Sequence, residues 1–210
     1  MADQNERDEK LVQYLNEAYG KERELEVALQ AHIAMTTKAP YKKRLKEHLK
    51  ETKSHAKAVQ RRIKQLGGGT GSRVQATVGK ALAASKGPMH MVRGHGEQEK
   101  MLKNAKTEYF NEHEEISTYL AIEVLAEKVG DGETAKLARG IRHEEERMAK
   151  FLEGQIRSLS GAVAREEIPA DQRRSSSPKR KAKSSSKGSS KRKAPAKAKG
   201  GKRKAASRKR

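Results

Sequence analysis

The sequence contains no cysteine and no tryptophan, and only 3% of its 210 residues are aromatic. Without cysteine there is no disulfide framework, no thiolate nucleophile and no thiolate-bound metal, which suits a reducing compartment. No apolar run approaches the roughly 18 residues needed to span a bilayer. The polar segment MADQNERDEK also lacks the apolar core of a secretory signal. We therefore expect a soluble, cytoplasmic protein that does not bind membranes.

Acidic residues are missing from the last part of the chain. Residues 173–210 contain 18 Lys or Arg and no Asp or Glu, so they carry most of the formal net charge of +21. Residues 1–172 hold all 27 acidic residues and 30 basic ones. A segment of Lys, Arg, Ser, Ala, Gly and Pro cannot bury enough apolar surface to offset the entropy of ordering. The composition thus predicts a folded part, 8–163, between a disordered N-terminus, 1–7, and a disordered tail, 171–210.

Apolar residues recur at helical spacing in four segments, and no segment alternates as a strand would. The predicted helices span 8–36, 41–66, 97–129 and 132–160. Short loops join the first two helices and the last two, so each pair should form an antiparallel hairpin. The connection 67–96 is long enough to run the length of a bundle. Two hairpins and one long crossover are the arrangement of an all-α, ferritin-like four-helix bundle; a plain bundle with an irregular middle loop is the alternative.

Glutamates interrupt the apolar stripes that should face the core. Glu22 lies on the first helix, Glu112 and Glu115 on the third, and Glu145 on the fourth. On the second helix, His48, Glu51 and His55 form a stripe that flanks the apolar one. A buried, ionised carboxylate is costly unless it is paired or binds a metal. Carboxylates directed inward from several helices are the ligands of dinuclear iron or manganese sites. Alternatively, these glutamates fall on the stripes by chance in a Glu- and Lys-rich chain and pair with Lys or Arg.

Several segments resemble the ferritin-like YciE/YciF-type family of bacteria. They read YLNEAYGKERELEVAL, YKKRLKEHLKETKSHAKAVQRRI, KGPMHMVRG, EKMLKNAKTEYFNEHEEISTYLAIEVLAEKVGDGETAKLA and IRHEEERMAKFL, and together they cover residues 10–160. The resemblance implies a bundle with a dinuclear metal site and a link to stress response. It points to the metal ligands Glu22, Glu51, His55, Glu112, Glu115 and Glu145. The ordinary ferritin-like pattern places Glu-x-x-His on two helices, whereas Met148 stands here where the fourth helix would carry its histidine.

The basic tail resembles the C-terminal tails of linker histones and of bacterial histone-like proteins. Lys and Arg that neutralise phosphates release counterions and give sequence-independent affinity, and a tail without aromatics cannot stack on single-stranded bases. We expect binding to double-stranded DNA, with RNA as the alternative. An anionic membrane surface is disfavoured because no apolar anchor accompanies the charge. The basic residues assigned to the interaction are Lys179, Arg180, Lys181, Lys183, Lys191, Arg192, Lys193, Lys202, Arg203, Lys204, Arg208, Lys209 and Arg210.

Taken together, these features predict a ferritin-like metal protein that its tail tethers to the nucleoid. It would assemble as a homo-oligomer, a dimer or larger, and protect DNA by consuming iron(II) and peroxide in a ferroxidase- or peroxidase-like reaction. Two alternatives stay open. One is a DNA-compacting nucleoid protein whose bundle only oligomerises and whose metal site is vestigial, and the other is a non-enzymatic metal store.

The affinity of the tail for duplex DNA should depend on salt rather than on sequence. If about half of the 18 basic groups engage phosphates, the logarithm of the binding constant should fall against that of salt with a slope of roughly −8. Fluorescence anisotropy of the full-length protein on two unrelated duplexes measures this slope. A protein with residues 173–210 scrambled at constant composition is the control. A scrambled tail that binds more than about tenfold more weakly would contradict a purely electrostatic interaction.

Overall fold

Four α-helices account for most of the described chain. The computed structural model describes residues 5–70 and 96–173. The helices are α1 Glu6–Met35, α2 Ala39–Gln65, α3 Glu97–Lys128 and α4 Gly132–Glu167. Most of the predicted crossover connection and every tail residue assigned to nucleic acid lie outside the described residues. Within the described ranges, no helix is both long enough and apolar enough to cross a membrane.

Capping and burial explain where α1 begins and α4 ends. The side chain of Asn5 accepts a hydrogen bond from the backbone N–H of Asp8 at 2.9 Å, which satisfies a donor of the first turn. For this reason α1 begins earlier than the predicted residue 8. The last helix continues beyond the predicted residue 160 because Leu159 and Ala162 are still buried against the bundle. These differences lengthen two helices and leave their number and order unchanged.

A glycine motif ends both α2 and α3. Gly67 and Gly130 have a φ of 76°, which only glycine adopts without strain. Beyond α2, the N–H of Gly68 donates to the carbonyl of Ile63 at 2.9 Å, and the corresponding bond beyond α3 is 2.8 Å. These bonds belong to the Schellman motif, which satisfies carbonyls that a helix end would otherwise leave free. After α3 the motif reverses the chain within a few residues, so that α4 can pack antiparallel to it.

Two apolar layers form the core. The first layer lies where α1 begins and α2 ends, and the second lies at the opposite end of the bundle. Members of the first layer include Leu11, Leu15, Val59, Ile63, Ile122 and Ala138. Members of the second include Leu29, Tyr41, Leu45, Met101, Met148 and Leu152. Along every helix, the residues between the two layers contribute buried polar side chains, so that a polar layer divides the core.

The direction of each helix follows from the two layers. Helices α1 and α4 run from the first layer to the second, and α2 and α3 run from the second to the first. The pairs α1/α2 and α3/α4 form the predicted hairpins, while α1 also packs against α3 and α2 against α4. Since α2 and α3 run parallel, α2 ends at one end of the bundle and α3 begins at the other. This order confirms the predicted ferritin-like four-helix bundle and differs from an up-down-up-down bundle.

An ion pair closes the bundle at the turn between α3 and α4. The carboxylate of Asp131 accepts two hydrogen bonds from Nη2 of Arg62, at 2.7 and 2.8 Å. It also caps α4 by accepting from the backbone N–H of Thr134 at 3.0 Å. Burial raises the pKa of Asp131, but the hydrogen bonds from Arg62 and Thr134 outweigh burial and lower it. The stability from this ionised carboxylate is therefore present above the pKa of the unfolded group, about 4, and is lost as the pH falls below it.

Replacing Asp131 should destabilise the bundle in two ways, through the lost helix cap and through the lost partner of Arg62. Asp131→Ala removes the cap and leaves a largely buried Arg62 without its main partner, and we expect a loss of about 2–4 kcal/mol. Asp131→Asn keeps a good capping side chain and should cost less. Glu133→Ala is the control, because this exposed carboxylate also contacts Arg62 but should contribute less than about 1 kcal/mol. Urea denaturation measures all three, and equal losses for Asp131→Ala and Glu133→Ala would refute the assignment.

Candidate metal centre

Buried acidic and imidazole side chains from all four helices meet in the polar layer. Their exposed fractions range from 0 to 5%. They are Glu22 of α1, His48 and His55 of α2, Glu112 and Glu115 of α3, and Glu145 of α4. Each lies on the helix face that carries apolar core residues one or two turns away on either side, so the packing of those neighbours directs it inward. We refer to these six side chains as the carboxylate–imidazole cluster.

Within the cluster, two groups of three side chains could each hold a metal ion. One group is Glu22, His55 and Glu145, and the other is His48, Glu112 and Glu145. In each group the donor atoms all lie within 4.8 Å of one another. Each group contains one imidazole and two carboxylates, and Glu145 belongs to both. A carboxylate shared in this way is the arrangement that bridges two adjacent ions in dinuclear sites.

The two imidazoles reach Glu145 with different ring nitrogens. Nδ1 of His55 lies 2.9 Å from Oε1 of Glu145 and 3.5 Å from Oε1 of Glu22. Nε2 of His48 lies 3.1 Å from Oε1 of Glu112 and 3.7 Å from Oε2 of Glu145. Four carboxylate–imidazole distances of 2.9–3.7 Å thus converge on the centre of the cluster.

On the outer side, each imidazole contacts another carboxylate. Nδ1 of His48 lies 3.1 Å from Oε2 of Glu51, and Nε2 of His55 lies 2.8 Å from Oε2 of Glu144. In metalloproteins, a carboxylate on the far nitrogen of a ligating histidine fixes the tautomer and the ring orientation. Glu51 and Glu144 are placed to do this for the two imidazoles.

Most of the residues suggested by the sequence lie in the cluster. Glu22, His55, Glu112 and Glu145 belong to the two groups, and Glu115 is buried beside them without joining either.

The exception is Glu51, which lies outside His48 with a side chain that is 33% exposed. The inward position on this part of α2 is taken by His48, which the sequence placed only on a flanking stripe. The single available signal was that His48 and His55 lie seven residues apart, which puts them on the same face of a helix.

The cluster is strongly protonated when it holds no cation. Burial lowers the pKa of His48 and His55, but the adjacent carboxylates raise it more, to about 10 and about 11. Burial raises the pKa of Glu112 to about 8 and that of Glu115 well above its usual range. At neutral pH both imidazoles therefore carry a positive charge, while burial favours the protonated forms of Glu112 and Glu115.

Several buried oxygen atoms of the cluster lack a well-placed hydrogen-bond donor within the protein, and a metal ion would satisfy them. Oε2 of Glu22, Oε2 of Glu112, Oε1 of Glu115 and both oxygens of Glu145 are buried and accept no well-aligned hydrogen bond. Such atoms are costly to bury unless something else satisfies them. The cluster also contains four glutamates and two histidines, the donor set of dinuclear carboxylate sites in bundles. Here, however, both histidines come from α2, and Met148 of α4 packs in the second apolar layer.

Two further contacts hold the polar layer in place. The hydroxyl of Tyr119 donates to Oε1 of Glu22 at 2.6 Å, which orients one carboxylate of the cluster. Towards the second apolar layer, Nδ1 of His32 and the carboxylate of Glu108 form a buried hydrogen-bonding contact between α1 and α3. Tyr119 and Glu108 lie on the same face of α3 as Glu112 and Glu115, so one polar face of this helix runs through the bundle.

Comparison with known proteins identifies one matching family and similar solved structures. The sequence profile of a family described as "Domain of unknown function (DUF892)" matches residues 6–164. A protein of Xanthomonas campestris pv. campestris has a similar structure, with 25% identity and a TM-score of 0.63, over 78% of this chain and 99% of that one. YcfI from Rhodopseudomonas palustris has 21% identity and a TM-score of 0.60, over 72% and 96% of the two chains. No curated protein matches the sequence.

Metal binding should release protons and strengthen as the pH rises. Each imidazole must lose its proton before it can coordinate a cation, and both are protonated at pH 7. We expect release of at least two protons per cluster, and a gain in apparent affinity of about one log unit per pH unit for each proton displaced. Calorimetric titration with Mn²⁺ in buffers of different ionisation enthalpy counts the protons. His143→Gln, at an exposed position of α4, is the control and should leave the count unchanged, whereas binding without proton release would exclude the imidazoles as ligands.

Proposed function

This chain belongs to the DUF892 family, and we propose that it is a dinuclear iron or manganese protein that its basic tail tethers to DNA. The observation that carries the proposal is the pair of three-residue groups that share Glu145. A bundle has little reason to bury so many acidic groups at its centre unless a cation compensates them. The family description supplies no activity, so the function is argued from the site.

The donor chemistry favours iron or manganese. Carboxylate oxygen and imidazole nitrogen suit these metals, while the soft thiolate ligands that select copper(I) are missing from the sequence. Glu22 and His55 would hold one ion, His48 and Glu112 the other, and Glu145 would bridge them. An iron centre held by such ligands supplies ferroxidase- or peroxidase-like chemistry, in which iron(II) is oxidised while oxygen or peroxide is reduced.

The protein itself would position the ligands and exclude bulk water. Glu51 and Glu144 orient the two imidazoles, and Tyr119 orients Glu22. The apolar layers on either side keep water from the cluster, which strengthens every electrostatic interaction within it. Iron(II) and peroxide would thus be consumed in an enclosed site, and fewer hydroxyl radicals would form in solution.

The tail supports a DNA partner for this chemistry. Its 18 basic residues occur without one acidic residue, and they give the sequence-independent affinity expected of a polycation for a duplex. Tethering would raise the concentration of metal sites beside the phosphates, where iron(II) also accumulates. The proposed role is therefore to protect nucleoid DNA against iron and peroxide during stress.

DNA compaction is a second candidate, and two observations favour it. In the metal-free cluster, the protonated His55 lies 2.9 Å from Glu145 and already compensates its charge, so the bundle does not need a cation in order to fold. In addition, α3 exposes Phe110, Leu120 and Val124, which are 69%, 47% and 44% exposed and suit association with a second copy. An oligomer with several tails would bridge duplexes even if its metal site were vestigial.

A plasmid-protection assay separates the two candidates. Supercoiled DNA is exposed to iron(II) and hydrogen peroxide in the presence of the full-length protein, of Glu22→Ala with Glu145→Ala, or of a chain truncated after Gln172. We expect the full-length protein to keep the plasmid supercoiled. The double variant should bind DNA normally yet fail to protect, because both ion positions are lost. The truncated chain should consume iron but protect much less at equal concentration.

The control variant carries Glu114→Ala with Glu146→Ala, which makes the same change in charge at exposed positions of α3 and α4. It should protect as well as the parent. Elemental analysis and circular dichroism of each variant report metal content and helicity. Full protection by the Glu22/Glu145 double variant would favour compaction, because the tail would then suffice.

A further inference from the structure

A surface groove between α2 and α4 leads to the carboxylate–imidazole cluster. Its volume is about 450 Å³, and its lining includes Ser54, Ala58 and Gly140 together with His55, Glu144 and the exposed Lys136. Small side chains on both helices leave this space open. Of the cluster members, His55 alone lines the groove.

His55 joins the groove to the cluster through its two ring nitrogens. Nε2 lies 2.8 Å from the carboxylate of Glu144, whose side chain is 38% exposed at the surface. On the other side of the same ring, Nδ1 lies 2.9 Å from Glu145 and 3.5 Å from Glu22. The side chain of His55 alone thus separates Glu144 at the surface from the carboxylates of Glu22 and Glu145. A cation held at Glu144 would be separated from its final ligands by the width of an imidazole.

At two other surface approaches to the cluster, a basic side chain contacts the outermost carboxylate directly. Beside α1 and α3, Nζ of Lys21 lies 2.7 Å from Glu114, next to the buried Glu115. Outside His48, Nη1 of Arg44 lies 2.9 Å from Glu51. These cations would repel an incoming divalent ion.

Apart from its contact with His55, the carboxylate of Glu144 has only a weak partner. The Arg147 guanidinium near it lies 3.7 Å away and is 65% exposed. An exposed pair at that distance contributes little and exchanges readily with solvent.

We propose that the groove between α2 and α4 is the route by which divalent cations reach the cluster, with Glu144 as the capturing carboxylate at its mouth. This inference rests on the proposed metal-binding function and adds the path of uptake. Glu144 would attract the cation from solvent, and His55 would release its proton to solvent and bind the cation beside Glu22 and Glu145. The small side chains of the groove leave room for a partly hydrated ion.

Gly140 provides a way to close the route without disturbing the core. A Cβ atom added at this exposed helical position meets nothing within 4 Å. A bulky side chain there would occupy the groove rather than clash with the bundle. Gly154 is a matched control, because it lies on the same helix and also has nothing within 4 Å of an added Cβ. It is about 21 Å further along the axis.

The test measures how fast the metal-free, full-length protein takes up Co²⁺, a spectroscopic stand-in for iron(II), in a stopped-flow spectrophotometer. Gly140→Phe should slow uptake by on the order of tenfold. Glu144→Gln should slow it by roughly 3- to 10-fold, because one attractive charge is lost from the mouth. Gly140→Phe should still bind as many ions at equilibrium as the parent does. Glu144→Gln also loses the carboxylate that orients His55, so it should reach the same number of ions only at saturating Co²⁺. Gly154→Phe and Glu146→Gln, which changes an acid of similar exposure on α4, should load at the parental rate.

The outcomes separate this inference from the proposed function. If the parent binds Co²⁺ while Gly140→Phe and Glu144→Gln load as fast as it does, the route lies elsewhere and the metal site stands. If Glu144→Gln binds fewer ions even at saturating Co²⁺, Glu144 is a ligand and not a capturing residue, and the inference fails. If the parent binds no Co²⁺ at all, both the inference and the proposed function fail.

Discussion

The structure depends on burying four carboxyl groups and two imidazoles halfway along a helical bundle. Ionised groups in this position cannot be left uncompensated, because their desolvation costs far more than packing returns. Without a cation, the bundle compensates them by protonating both imidazoles and by keeping protons on the deepest carboxyls. The same groups could hold a cation instead. Protons and a metal ion would then compete for the same atoms.

This polar layer explains why the rest of the bundle is built as it is. Because it divides the core, each apolar layer must hold its own end of the four helices together. The first end is reinforced where Arg62 of α2 reaches across to Asp131 at the start of α4. Such reinforcement is useful because a half-satisfied polar centre contributes little stability of its own. In this division of roles, the ends of the bundle provide stability, and the centre holds the groups that could bind a metal ion.

The sequence predicted the helices and most of the cluster for a physical reason. A carboxylate on an apolar stripe stands out against its neighbours, and Glu22, Glu112 and Glu145 each do so. On α2 the signal fails because His48, Glu51 and His55 all lie beside the stripe, and a small rotation of the helix decides which of them faces inward. Packing against three other helices sets that rotation, and no local pattern records it. The groove is equally hidden, since Ser54, Ala58 and Gly140 become meaningful only when α2 and α4 lie side by side.

The two histidines of α2 show how one donor set can be reached by a different sequence pattern. The ordinary ferritin-like pattern supplies one histidine to each ion by repeating Glu-x-x-His on two helices. Here a seven-residue spacing on one helix places His48 and His55 two turns apart, about 10 Å along the axis. The first turns Nε2 towards the centre and the second turns Nδ1, so that they reach Glu145 from opposite sides. Each group still receives one imidazole and two carboxylates. A search for the ordinary motif would therefore reject a chain that meets the same chemical requirement.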